Sequence, residues 1–130
     1  MSIKRYQVDG APTPAGPYSH AVAAGGFLYT AGFGPVDPAT GQIVGTEVGG
    51  QTRQVLRNIG TVLEAAGLTF SDVVKSTVHL ADVVRDFAAF NAAYGEFFET
   101  GFPVRTTVGS TLPGILVEID VVAAFPESAG

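Results

Sequence analysis

Thr46-Glu-Val-Gly-Gly-Gln-Thr-Arg-Gln-Val-Leu-Arg-Asn-Ile-Gly-Thr-Val-Leu-Glu-Ala-Ala-Gly67, followed after a short link by Val73-Val-Lys-Ser-Thr-Val-His-Leu80, decides the fold. In the first segment Val48, Thr52, Val55, Leu56, Ile59, Val62, Leu63 and Ala66 recur three or four residues apart. That period predicts an amphipathic helix from about Thr46 to Ala66. Gly67 ends it as a C-terminal cap. The second segment has a period of two and reads as a strand. Val74, Val78 and Leu80, with Ser76 between them, are expected on one face, and Val73, Lys75, Thr77 and His79 on the other.

Upstream, Ile3 to Val8 reads as a short strand, and Gly10 to Pro17 is too rich in Pro and Gly for regular structure. Tyr18–Ala24 and Phe27–Ala31 flank Gly25-Gly26, a tight hairpin signal. Gly32 to Gly45 reads as a loop, with turn chemistry at Asp37-Pro-Ala-Thr-Gly41. Downstream, a second helix is expected from Asp82 or Val83 to Phe98. Phe87, Phe90, Tyr94 and Phe97 form its apolar stripe, and Gly101 and Pro103 stop it. Strands from about Arg105 to Thr111 and Leu116 to Ala124 follow, joined by Leu112-Pro113-Gly114 in what reads as a possible hairpin, and Pro126–Gly130 forms a loose tail. The order is β-β-β-α-β-α-β-β in one domain spanning residues 1–130. Two helices can cover one face of a sheet and not both. The other face, carrying Phe27, Tyr29 and His79, is left for solvent or a partner.

Composition favours the partner. The chain is 46% hydrophobic and 15% charged, with a mean hydropathy of +0.31. So few charges on a small domain imply burial of surface against further copies of itself. The net charge is −5 and no basic run exceeds Lys4-Arg5, which argues against nucleic acid as a partner. With no cysteine, disulfides, thiolate metal sites and cysteine nucleophiles are excluded. No signal-peptide core and no apolar run of membrane-spanning length is present, so a cytoplasmic location and no membrane contact are expected.

Arg105 is the only Lys or Arg after Arg85, and it shares the last third of the chain with Asp86, Glu96, Glu99, Glu118, Asp120 and Glu127. A lone guanidinium at a strand start, with a carboxylate on the following strand, could bind an anion beside a proton acceptor. It could equally be a surface charge solubilising a strand end. On the last strand Ile115, Val117, Ile119 and Val121 are expected against the helices, which puts Glu118 and Asp120 on the opposite face, roughly 7 Å apart. One of them, half-buried, would have the raised pKa of a general base; both exposed, they would be solvated charges. His20 and His79 have no third ligand at a recognisable spacing, so no metal is expected. No Gly-x-Ser-x-Gly elbow and no phosphate-binding glycine motif is present.

Several segments together resemble one family. They are Ala11-Pro12 with Gly16-Pro17-Tyr18-Ser19; Gln51-Thr52 with Asn58-Ile59; Leu63-Glu-Ala-Ala-Gly-Leu68; Asp72-Val-Val-Lys75; Asp86-Phe87 with Asn91 and Tyr94; Phe102-Pro-Val-Arg105; Leu112-Pro113; and Val117-Glu-Ile119. In this order and spacing the chain resembles the RidA family (YjgF/YER057c/UK114), the reactive imine deaminases. The resemblance implies a chorismate-mutase-like α/β (α+β) fold, a mixed sheet with two helices on one face. It also implies a homotrimer with sites between subunits, and hydrolysis of 2-imino acids to 2-keto acids and ammonia without a cofactor. By position, Arg105 matches the residue that grips the substrate carboxylate, a pairing for which a guanidinium is shaped. Glu118 matches the residue that activates water. Tyr18, Ala31, Gly32, Phe33, Asn91 and Thr107 match the substrate pocket. The family commonly has Ser-Gly-Gln where this chain has Ala31-Gly32-Phe33, a cysteine where Thr107 stands and a glutamine where His20 stands. Two other functions compete with the deaminase: a trimeric module that binds small carboxylates or regulates a partner protein, without turnover, and an endoribonuclease, against which the acidic balance weighs.

Overall fold

The computed structural model describes residues 2–127; the end of the expected loose tail, Ser128–Gly130, lies outside the described residues. The elements are β1 (Lys4–Tyr6), β2 (Ala21–Ala24), β3 (Phe27–Thr30), α1 (Val48–Ala65), β4 (Val73–Leu80), α2 (Val83–Gly95), β5 (Val104–Gly109) and β6 (Val117–Ala124). The expected order holds. A 3₁₀ turn at Phe70–Asp72 precedes β4; Thr69 and Asp72 cap it reciprocally, a local signal that hydrophobic periodicity does not register.

The punctuation behaves as the glycines predict. Gly25 and Gly26 have φ of 60° and 88°, the two left-handed residues of a primed hairpin turn, which joins Ala24 to its partner Phe27. Gly67 has φ of 76°. Its N–H donates to the Glu64 carbonyl and the next N–H, of Leu68, donates to Leu63, the double bond of a Schellman cap. Asp82 caps α2 by accepting from the Arg85 N–H.

The six strands form one mixed sheet in the order β1-β2-β3-β6-β4-β5. All pairs are antiparallel except β4 with β5, which is parallel. Leu28, Val78, Leu80, Val117, Ile119, Val121 and Ala123 are buried on one face under Val55, Leu56, Ile59, Val62 and Leu63 of α1 and Phe90 and Tyr94 of α2. Both helices therefore cover the same face. The other face exposes Phe27, Tyr29, Val104 and Val108. None of the helices is long and apolar enough to cross a membrane, among the described residues.

Two expectations fail. β5 and β6 do not form a hairpin: β4 lies between them. A strand, a 13-residue helix and a second strand form a β-α-β crossover, which places the second strand parallel beside the first, and β6 then pairs with the free edge of β4. Within β4, Val73 is buried and Val74 exposed, the reverse of the alternation read from sequence. The register shifts between Val73 and Lys75, which pair with the consecutive residues Ala123 and Val122. This bulge inserts one extra residue and inverts the facing upstream of it.

Candidate active site

Arg105 lies on the outermost strand. Its Cα pairs with Ser76 of β4, whose side chain is buried under α2, so Arg105 points to the helix side. Phe87, Phe90, Asn91 and Tyr94 recur at helical spacing on α2 and meet it there. The guanidinium carbon sits 5.8, 5.2 and 4.9 Å from the ring centroids of Phe87, Phe90 and Tyr94, within cation–π range. Arg105 Nη2 donates to Asn91 Oδ1 at 2.7 Å. By contrast, Arg53 and Arg85 are bound by both oxygens of Glu96 and Asp86. Arg85 in turn holds the Asp86 carboxyl below its ordinary pKa, chiefly by hydrogen bonding. Arg105 belongs to none of the ion pairs among the described residues. A guanidinium has five N–H donors, so a cation with spare donors faces a cavity of about 350 Å³ lined by Asn91, Tyr94, Gly95, Phe102, Pro103 and Arg105 itself.

Glu118 occupies a second pocket. It pairs with His79 and alternates with buried Val117 and Ile119, so it faces the open side, as the sequence predicts for it and for Asp120. Burial raises the Asp120 pKa, against the opposing charges of His79 and Lys75. The Glu118 cavity, about 200 Å³, is bordered among others by Tyr18, His20, Gly32, Phe33 and Ile115. Beyond β3 the chain bends so that Phe33 exchanges both backbone hydrogen bonds with Ile119. This draws Gly32 against the carboxylate: a Cβ at Gly32 would lie 2.9 Å from Glu118 Oε2. Only a glycine admits the carboxylate in this position.

Polar side chains to which the sequence assigned no part in the site hold this pocket in place. Asn58 Nδ2 donates to the Gly34 and Val36 carbonyls at 3.1 and 2.9 Å. Gln51 donates to the Gly45 carbonyl and accepts from the Leu116 N–H. Buried His20 accepts from the Val8 N–H at Nδ1, so its proton is on Nε2 and is donated to the Pro12 carbonyl; it also stacks on Phe33 at 5.9 Å. The signal was present in sequence: amide side chains on the otherwise apolar face of a helix must find partners when buried. Tyr18, half-exposed at the rim, accepts from the Ala15 N–H through its hydroxyl.

The predicted residues thus fall into two groups. Tyr18, Gly32, Phe33 and Glu118 share one cavity; Asn91 and Arg105 share the other. Thr107 pairs with Val78 beside the Arg105 group, and Ala31 is bonded through its N–H to His20; neither lines either cavity. The two groups do not meet within one chain. Arg105 is level with Val121 across β4, and Glu118 is level with Val108. They are separated by about 10 Å along the strands and about 10 Å across them, on opposite faces.

Comparison with known proteins connects these features to a family. Residues 8–125 match the family model described as endoribonuclease L-PSP. The chain is 50% identical over 117 residues to a RutC family protein of Pyrococcus horikoshii, covering 88% of this chain and 92% of that one. It is 44% identical over 115 residues to the 2-iminobutanoate/2-iminopropanoate deaminase of Capra hircus, covering 87% and 83%. The solved structure of E. coli TdcF with bound serine superposes with a TM-score of 0.88 at 34% identity, covering 95% and 99%. With its helices on one face of a mixed six-stranded sheet, the chain belongs to the endoribonuclease L-PSP family, the family also known as RidA or YjgF.

Proposed function

We propose that this protein hydrolyses reactive 2-imino acids, of the 2-iminopropanoate and 2-iminobutanoate type, to 2-keto acids and ammonia, in a site completed between copies of a homotrimer. The observation that carries this reading is Arg105: a guanidinium held by Asn91 over three aromatic rings, with donors to spare and no carboxylate partner among the described residues. It is equipped to receive a carboxylate through two parallel hydrogen bonds. Glu118, held against Gly32, is the proton acceptor for water. Water adds to the carbon of the protonated imine as Glu118 takes one of its protons, giving a neutral carbinolamine. The Glu118 carboxyl gives that proton to the amino nitrogen, the C–N bond breaks to release ammonia, and the hydroxyl proton passes to the Glu118 carboxylate, and from it to the departing ammonia, as the carbonyl forms. No cofactor is called for.

Because Arg105 and Glu118 face opposite sides of one sheet, the reaction needs Arg105 of one copy beside Glu118 of another. The open face, with Phe27, Tyr29, Val104 and Val108 exposed, is the surface suited to such packing. The test is keto-acid release from imines generated in situ, measured against semicarbazide trapping, for wild type and Arg105→Ala. Loss of turnover in the variant is expected; normal turnover would remove Arg105 from the mechanism. A second reading, carboxylate binding without turnover, is favoured by Phe33, which brings a buried ring into the Glu118 pocket, where the family pattern that the chain resembles has an amide. It predicts Arg105-dependent binding of 2-oxobutanoate with no effect on imine lifetime.

A further inference from the structure

Two hydroxyls, of Ser76 and Tyr94, are sealed in the core beside Arg105, 2.6 Å apart, and the residues that carry them are 0% and 3% exposed. Packing alone does not call for them. A phenylalanine and an alanine would fill nearly the same space with no polar group to satisfy, and removing both partners of such a bond is often neutral or stabilising. The bond does fix one thing: where the Tyr94 ring stands. The ring is the nearest of the three to the Arg105 guanidinium, at 4.9 Å. On its other sides it meets Phe90 at 5.4 Å and Phe98 at 4.7 Å. Ser76 is also the β4 residue with which the Arg105 backbone pairs. The three residues therefore close a triangle: Ser76 sets the Arg105 main chain through the sheet, and sets its side chain through the Tyr94 ring.

We infer that Tyr94, anchored by Ser76, is a positioning residue that holds the Arg105 guanidinium in its carboxylate-binding orientation. This deepens the deaminase reading and rests on it for the choice of ligand. It assigns Tyr94 work beyond the apolar stripe of α2, and explains a polar residue at the centre of β4's buried face. Asn91 restrains one end of the guanidinium and the ring restrains its plane, leaving the remaining donors turned to the cavity. A carboxylate then meets a fork already in place, and less side-chain freedom is lost on binding.

The test uses the full chain. Ser76→Ala and Tyr94→Phe each remove the bond while keeping the surrounding volume, Ser76→Thr retains the hydroxyl, and the double variant removes both partners. In the ligand-free protein, heteronuclear relaxation of the Arg105 Nε–Hε pair, identified by its loss in Arg105→Lys, reports guanidinium order. Order is expected to fall in both single variants and to be kept in Ser76→Thr. The KM for 2-iminobutanoate and the Kd for 2-oxobutanoate are expected to rise by about three- to tenfold with kcat nearly kept. The double variant should be no worse than either single one, since both delete the same bond. Unchanged Arg105 order in both single variants, or additive effects in the double, would overturn the inference. The relaxation measurement does not depend on turnover, so a wild type without imine hydrolysis would refute the deaminase reading and leave this result standing on its own.

Discussion

Gly32→Ala isolates the position of the Glu118 carboxylate from almost everything else. Gly32 does not have a left-handed backbone, so alanine is not strained there by its φ. The added Cβ would stand 2.9 Å from Oε2, 3.1 Å from Cδ and 3.3 Å from Cγ of Glu118, where ordinary contacts begin at 3.4 Å. The carboxylate must retreat by about 0.5 Å at its tip, and the side chain behind it by somewhat less. The far end of a glutamate swings at little expense, so the melting temperature should fall by no more than a few degrees. Turnover should fall far more. A displacement of about 1 Å in a reacting group can cost about a hundredfold, so about half of that distance predicts a loss of roughly tenfold in kcat, about 1.4 kcal/mol in the barrier. The assay is semicarbazide competition for in situ imines, with 2-oxobutanoate binding and thermal unfolding measured alongside. Binding through Arg105 should be nearly unchanged. Wild-type turnover in Gly32→Ala would refute the placement of Glu118 as the base, and a drop of more than ten degrees in melting temperature would show that the glycine serves the backbone instead.

Leu56→Ala opens a cavity beneath α1 at a fully buried position and should cost about 2–5 kcal/mol, read by urea denaturation. Gly67→Ala forces a side chain into the left-handed cap at φ of 76° and should cost about 1–2 kcal/mol by the same method. Burial raises the pKa of Asp120 above its ordinary value, opposed by His79 and Lys75. Its contribution to stability is thus fully present below the ordinary aspartate pKa and lost as pH rises through the raised value. Relative to Asp120→Asn, wild type should gain stability as pH is lowered from 7 toward 4; melting curves in which the gap stays constant or reverses would contradict this.

Much of the molecule was legible without coordinates. Hydrophobic period alone identified both helices, the position of β4, and the facing of Glu118 and Asp120 on β6, because side-chain direction is a local property of backbone geometry. The same reasoning put Phe27 and Tyr29 on the face that the two helices leave open, where both are exposed. Glycine positions marked the β2–β3 turn and the end of α1, because the left-handed conformations there admit little else. Tertiary structure alone decided neighbours. Every strand offers the same backbone donors and acceptors, so nothing within β5 or β6 states that β4 will come between them; the β4-α2-β5 crossover does, and it was hidden by a proline-glycine link that resembled a hairpin turn. The bulge at Val73–Lys75 was invisible for a related reason, since an alternating pattern looks the same on either side of a one-residue slip. The same strand order decides the chemistry available. Arg105 and Glu118, thirteen residues apart in sequence, lie on opposite faces of the sheet with a strand between them. The proposed carboxylate anchor and the proposed proton acceptor therefore do not meet within one chain, and the proposed reaction requires a second copy to supply the other half.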